Sequence, residues 1–180
     1  MTVWIGLIRA IGPATHAKMS MQDLREGCRA AGLDKVATYI QTGNLLIDSR
    51  KSAATVQATV QRVLASFGLT NLVVIRRADA LEAVIAADPF PEAAQVRPSE
   101  MCVCFLAARP GSEGLARLGD YHGPERLAFV GEDLCVDYPD GVTGSKLMPG
   151  AIERRLGVAA TARNWNTVRK LLALAQAYKA

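Results

Sequence analysis

Histidine is scarce in this chain, with 2 in 180 residues, and aromatic residues make up only 6%. There are four cysteines, Cys28, Cys102, Cys104 and Cys135, and no two form a Cys-x-x-Cys pair. With so few soft ligands, and only His122 even loosely placed to join them, no metal site is expected. The cysteines read as reduced, buried thiols acting as small hydrophobes, with Cys102 and Cys104 on one face of a strand. No apolar run approaches the roughly 20 residues needed to span a bilayer. The run at residues 3–8 is too short for a signal peptide and stops at Arg9. These absences predict a cytoplasmic protein with no membrane partner and no cofactor.

Half the residues are hydrophobic, enough to fill one ordinary core or two small ones. The formal charge of +4 is unevenly spread. Residues 140–180 carry seven Lys/Arg against two Asp/Glu, whereas residues 51–139 carry eight against eleven. The C-terminal segment thus holds the basic field, which favours anions or nucleic acid.

Residues 3–9 are short, apolar and β-branched, the pattern of a buried strand. A helix over 20–31 opens on a capping pair, Ser20 and Asp23, with Met21, Leu24, Cys28 and Ala31 on one face, and Gly32 ends it. Residues 36–41 and 45–48 read as strands joined by a tight turn, Thr42-Gly43-Asn44. Ser52 caps a second helix with a stripe of Val56, Val60, Val63 and Phe67. A strand at 72–75 completes β-α-β-β-α-β, the ferredoxin-like order of four antiparallel strands backed by two helices.

Asp79 caps a linking helix that stops at Asp88-Pro89, and residues 89–98 read as a linker. The order then repeats. A strand over 101–107 is followed by a helix over 112–118, and a hairpin pairs 127–130 with 134–138. A helix over 149–156 and a short strand over 158–161 complete the repeat. The last helix begins near Asn164 and carries Trp165, Val168, Leu172 and Ala175. The fold class is therefore α+β, two ferredoxin-like units. The first covers 1–78, a linking helix and linker cover 79–99, and the second unit with the C-terminal helix covers 100–180.

Two polar signatures break the apolar rhythm. In Tyr39-Ile40-Gln41-Thr42-Gly43-Asn44, Tyr39 and Gln41 share a sheet face, and Asn44 adds donors and acceptors beside them. In Thr161-Ala162-Arg163-Asn164-Trp165-Asn166-Thr167, Asn164 is a natural N-cap. That leaves Arg163, Asn166 and, one turn on, Lys170 as polar groups near a helix start. Arg9 ends the first strand and Lys18 precedes the next helix. A guanidinium at Arg9 suits bidentate capture of phosphate or carboxylate.

Gly141-Val142-Thr143-Gly144-Ser145-Lys146 has the wrong spacing for a phosphate-binding loop, yet Lys146 remains a candidate anion contact. Asp120-Tyr121-His122 has no nucleophile placed with it and reads as a loop. An RNA-recognition motif shares the fold but needs exposed aromatics on its central strands, and Leu45-Leu46-Ile47 has none.

These motifs together resemble the domain-of-unknown-function family 1697 over nearly the whole chain. The resemblance rests on Arg9, Lys18-Met19, residues 38–44, Ser145-Lys146-Leu147, residues 161–167 and Lys170-Leu171. It implies a small bacterial cytosolic α+β protein with a duplicated ferredoxin-like arrangement, and it carries no activity. The family continues its first strand with Arg-Gly-Ile-Asn, where this chain reads Arg9-Ala10-Ile11-Gly12-Pro13.

The leading functional expectation is a module that binds a small anionic or phosphorylated ligand. Its contacts are drawn from Arg9, Lys18, Tyr39, Gln41, Asn44, Lys146, Arg163, Asn166 and Lys170. The alternatives are a phosphoryl or acyl-phosphate hydrolase, and a nucleic-acid or protein-interaction module that the missing aromatics disfavour.

Overall fold

The computed structural model describes residues 2–178. Among these residues eight strands form two four-stranded antiparallel sheets, each with its unit's strands in the order second, third, first, fourth. Each unit runs strand, helix, hairpin, helix, strand and has the same strand order, so the duplication expected from element order is present in the pairing. The chain divides into two compact units: everything up to Glu82 together with the residues from Lys170 on, and Ala83–Arg169.

In the first unit β1 is Thr2–Ile8, β2 Lys35–Tyr39, β3 Asn44–Ser49 and β4 Val73–Arg77. Helices α2 (Met21–Ala30) and α3 (Ala53–Ser66) cover one sheet face. The α2 cap is reciprocal, as the sequence predicts: the Ser20 side chain accepts from the Asp23 amide, and Asp23 accepts from the Ser20 amide. Met21, Leu24 and Cys28 of α2 meet Val56, Val60 and Val63 of α3 over Ile8, Leu45 and Ile47. Ala31, expected on the buried face of α2, is its exposed C-cap. Between β1 and α2 the chain forms a short helix, α1 (Pro13–His16), with Pro13 in its first turn.

The tight turn expected at Thr42-Gly43-Asn44 is corrected. β2 and β3 pair through Tyr39 and Asn44, so the connection is a four-residue loop at 40–43 and Asn44 is the first residue of β3. Gly43 sits at φ +79, and a Cβ there would meet the Ile8 Cβ at 3.0 Å and the Ile8 carbonyl oxygen at 3.1 Å. The Ile8 amide donates to the Gly43 carbonyl at 2.8 Å, which locks the loop to the end of β1.

Helix α4, Ala78–Ala87, begins in the first unit and enters the second at Ala83; the second unit then holds β5 Met101–Leu106, α6 Ser112–Gly119, β6 Arg126–Val130 and β7 Asp133–Asp137. Helix α7 is Pro149–Leu156 and β8 Ala160–Asn164; α8, Trp165–Tyr178, starts in this unit and from Lys170 on groups with the first. The core places Leu118, Ile152 and Leu156 of the helices against Cys102, Cys104, Leu134 and Val136 of the sheet.

The linker expected at 89–98 is ordered. It contains α5 (Pro91–Val96) and leads into a 3-10 turn, Pro98–Glu100. Two arginines explain that order. Arg97 donates to both Asp137 carboxylate oxygens, at 3.0 and 2.8 Å, and Arg126 bonds both Asp137 and Glu92. The last strand begins two residues later than expected and runs through Arg163. The buried stripe of α8 is Trp165, Val168, Leu171 and Ala175, with Leu171 in place of Leu172. No helix among the described residues is long and apolar enough to cross a membrane.

Candidate functional site

Several residues singled out from the sequence are occupied in holding the fold. Asn44 is fully buried, and its amide nitrogen donates to the Tyr39 carbonyl at 3.2 Å and to the Thr42 hydroxyl at 3.0 Å, closing the loop they flank. Gln41 is exposed, and its carbonyl lies 2.8 Å from His16 Nε2, tying the loop to α1. Tyr39 is half-buried at the end of β2. Arg9 is exposed just past β1; its amide donates to the Leu72 carbonyl at 2.9 Å, and its carbonyl accepts from Asn71 at 2.8 Å. Lys18 is exposed before α2.

In the second unit Arg163 turns back on its own strand. It donates at 2.8 Å to both the Thr161 hydroxyl and the Ala162 carbonyl. Burial lowers its pKa to about 10, which still leaves it protonated at neutral pH. The Thr167 amide donates to Asn164 Oδ1 at 2.9 Å, the expected N-cap. Asn166 is exposed on α8, as is Lys170, which groups with the first unit.

Lys146 has a different setting. It lines two adjoining clefts of the second unit, of about 390 and 360 Å³. Helices α6 and α7, the loop from α6 to β6 and the loop that returns from β7 build them. Helices α6 and α7 come close because residue 114 is glycine; a Cβ there would stand 2.2 Å from the Leu156 carbonyl oxygen. Near their C-terminal ends the helices exchange bonds. Arg117 Nε donates to the Arg155 carbonyl at 2.9 Å, and Arg155 Nη1 donates to the Arg117 carbonyl at 2.8 Å. Carbonyls in a helix's last turn lack partners within the helix, so the guanidiniums satisfy groups that would otherwise need water.

The first cleft is lined by Arg117, Asp120, Lys146, Ala151, Arg154 and Arg155, four cations around one carboxylate. Arg117 also bonds Glu113, an exposed acid one turn back on α6. The guanidinium of Arg155 lies over the ring of Tyr121, 5.1 Å from its centroid. A guanidinium has five N–H donors, so Arg117 and Arg155 keep some after these bonds are made. Arg154 is exposed at the cleft.

The second cleft is hydroxyl- and carboxylate-rich: Tyr121, His122, Glu125, Asp140, Thr143, Ser145 and Lys146 contribute to its wall. Tyr121 donates to Glu125 at 2.6 Å, and the Ser145 hydroxyl donates to the other Glu125 oxygen. Ser145 Oγ in turn accepts from the Leu147 amide at 2.9 Å. Partial burial raises the Glu125 pKa, but the bonds from Ser145 and Tyr121 outweigh it and hold the carboxyl below its ordinary value. Glu125 is therefore an ionised anchor that fixes the turn carrying Lys146.

The sequence signal for this site was the basic surplus of residues 140–180, which contains Lys146, Arg154 and Arg155. The roles of Arg117, Tyr121 and Glu125 went unread because their partners lie 4 to 38 positions away.

The profile of a family described as "Protein of unknown function (DUF1697)" matches residues 1–134. No curated protein matches the chain. Among solved structures, the conserved bacterial protein SP0830 from Streptococcus pneumoniae has the same fold. It superposes with a TM-score of 0.77 at 20% identity, over 98% of this chain and 99% of that one.

Proposed function

The chain belongs to the DUF1697 family, whose description assigns no activity, and we propose that it binds a small anionic or phosphorylated ligand at the cationic cleft of its second unit. The observation that carries this reading is the set of four cations, Arg117, Lys146, Arg154 and Arg155, facing one carboxylate, Asp120, around a single cleft. Arginine forks match phosphate and carboxylate oxygens, and lysine adds a point charge. Arg155 is seated in advance by the Tyr121 ring and the Arg117 carbonyl. A ligand therefore meets donors that lose little freedom on binding.

The test is calorimetric titration and thermal shift with inorganic phosphate and pyrophosphate, run at low and high salt. Ligand at about 100 times its dissociation constant adds roughly 2.7 kcal/mol of stability. Affinity should fall with salt, because exposed charges are screened. Lys146→Ala and Arg154→Ala should each weaken binding about tenfold or more, the scale of one charge-assisted hydrogen bond. Arg9→Ala is the contrasting variant, and it should bind as the parent does. Absence of any phosphate or pyrophosphate effect overturns the reading. Binding that survives Lys146→Ala with Arg154→Ala but fails in Arg9→Ala moves the ligand to the first unit.

A further inference from the structure

We propose that the ligand of this site is a phosphorylated polyhydroxy compound, a sugar phosphate or polyol phosphate, whose phosphate takes the cationic cleft and whose hydroxyls take the neighbouring acidic one. This inference rests on the anion-binding reading above. Its evidence is the contrast between two clefts that share one residue, Lys146.

The charges differ in sign on either side of Lys146. Four cations and Asp120 line the first cleft; Glu125, Asp140 and Lys146 are the charged groups of the second, with His122 beside them. A plain phosphate has no use for the second cleft, because its carboxylates repel it. A ligand that reaches both needs an anionic end and, a short distance away, several hydrogen-bond donors. Neighbouring hydroxyls provide this, since a carboxylate accepts from two at once. The Thr143 and Ser145 hydroxyls also line the second cleft. Ser145 accepts from Leu147 and donates to Glu125, and a hydroxyl-rich ligand can join that chain without leaving a charge unpaired.

The aromatic inventory argues against a nucleotide. Tyr121 is the aromatic residue in the wall of the second cleft, and its ring already carries the Arg155 guanidinium. A base needs an open aromatic or apolar face to stack on, whereas a sugar needs the polar wall found here. Each cleft, at about 390 and 360 Å³, is within the range of pockets that hold small molecules.

The experiment compares inorganic phosphate, a hexose 6-phosphate, the unphosphorylated hexose and adenosine monophosphate by calorimetry on the full chain. The hexose phosphate should bind at least tenfold more tightly than phosphate, and the bare hexose should show no measurable binding. Asp140→Asn, an exposed change that leaves the fold alone, should erase that advantage while the affinity for inorganic phosphate stays the same or rises. Glu125→Gln should also cut the hexose phosphate advantage, and because Glu125 fixes the turn that carries Lys146 it should weaken phosphate binding as well, with circular dichroism and thermal unfolding confirming that it folds. Phosphate bound as tightly as the hexose phosphate overturns the inference and leaves the anion site standing. Adenosine monophosphate binding more tightly than the hexose phosphate overturns the ligand class. No phosphate binding at all overturns the anion reading, and this inference with it.

Discussion

The guanidinium of Arg155 rests 5.1 Å from the centre of the Tyr121 ring, while the hydroxyl of that ring donates to Glu125 at 2.6 Å. One side chain thus seats a cation of the basic cleft and fixes an anion of the acidic one. The two functions separate by mutation. Tyr121→Phe keeps the ring and removes the hydroxyl, so Glu125 loses one of the bonds that hold its pKa down. Stability should fall by about 1 kcal/mol in urea unfolding, the net worth of a partly exposed hydrogen bond. Phosphate affinity should change little. Tyr121→Ala also unseats Arg155 and should weaken phosphate binding severalfold. Unchanged affinity in Tyr121→Ala would show that the seat is not used.

Asp137 ties α5 to the sheet. It is fully buried, yet Arg97 and Arg126 donate to it at 2.7 to 3.0 Å. Burial alone would raise its pKa, but the two guanidiniums outweigh that and hold it below the ordinary aspartate value. Because the folded value lies below the unfolded one, near 4, the unfolded state binds protons first on acidification. The stabilisation is therefore complete above about pH 4 and is lost as pH falls towards the folded pKa. Asp137→Asn should cost about 2–3 kcal/mol at pH 7, less than a wholly buried pair because both arginines reach solvent. It should also flatten stability against pH in the acid limb, measured by urea unfolding from pH 3 to 7. A variant with the parent's acid limb would contradict this assignment.

Much of the fold was legible because its signals are local. Ser20 with Asp23 and Asn164 before Thr167 are caps within one turn. The helical stripes at Met21, Leu24 and Cys28 follow a period that sequence displays directly. The order of residues 89–98 was not legible, because it depends on Glu92 meeting Arg126 and Arg97 meeting Asp137, 34 and 40 positions away. The site follows the same division. Lys146 and the basic surplus around it could be read from composition. Pairing Arg117 with Arg155 and Glu125 with Ser145 required the fold itself. Asn44 misled for a related reason: a buried amide that closes a loop has the same sequence appearance as one that meets a ligand.

Ile40 is a β-branched residue in the left-handed region, at φ +50, and the residue is 47% exposed. That conformation costs an L-residue about 1–2 kcal/mol, and the exposed side chain recovers little by burial. Ile40→Gly and Ile40→Asn should each raise stability, by about 0.5–1 kcal/mol, as seen in thermal or urea unfolding. A loss of stability in both would mean that the isoleucine makes a contact worth more than the strain. Ligand binding at the second unit should be unaffected.

The approach of α6 to α7 gives the sharpest test of the site's architecture. A methyl at residue 114 would sit 2.2 Å from the Leu156 carbonyl oxygen and 2.9 Å from its carbon, so backbone rather than a flexible side chain must yield. Gly114→Ala should cost about 1–3 kcal/mol, the range for overpacking a tight contact. It should also part the helix ends and break the reciprocal bonds between Arg117 and Arg155. Phosphate affinity should therefore drop with stability. Gly119→Ala is the control on the same helix: an added Cβ there meets nothing within 4 Å. That change removes backbone freedom from the unfolded chain and should stabilise by about 0.4–1 kcal/mol. Opposite signs for two Gly→Ala changes five residues apart, with loss of binding only at 114, would tie the helix contact to the cleft. Matching effects on stability and binding would break that link.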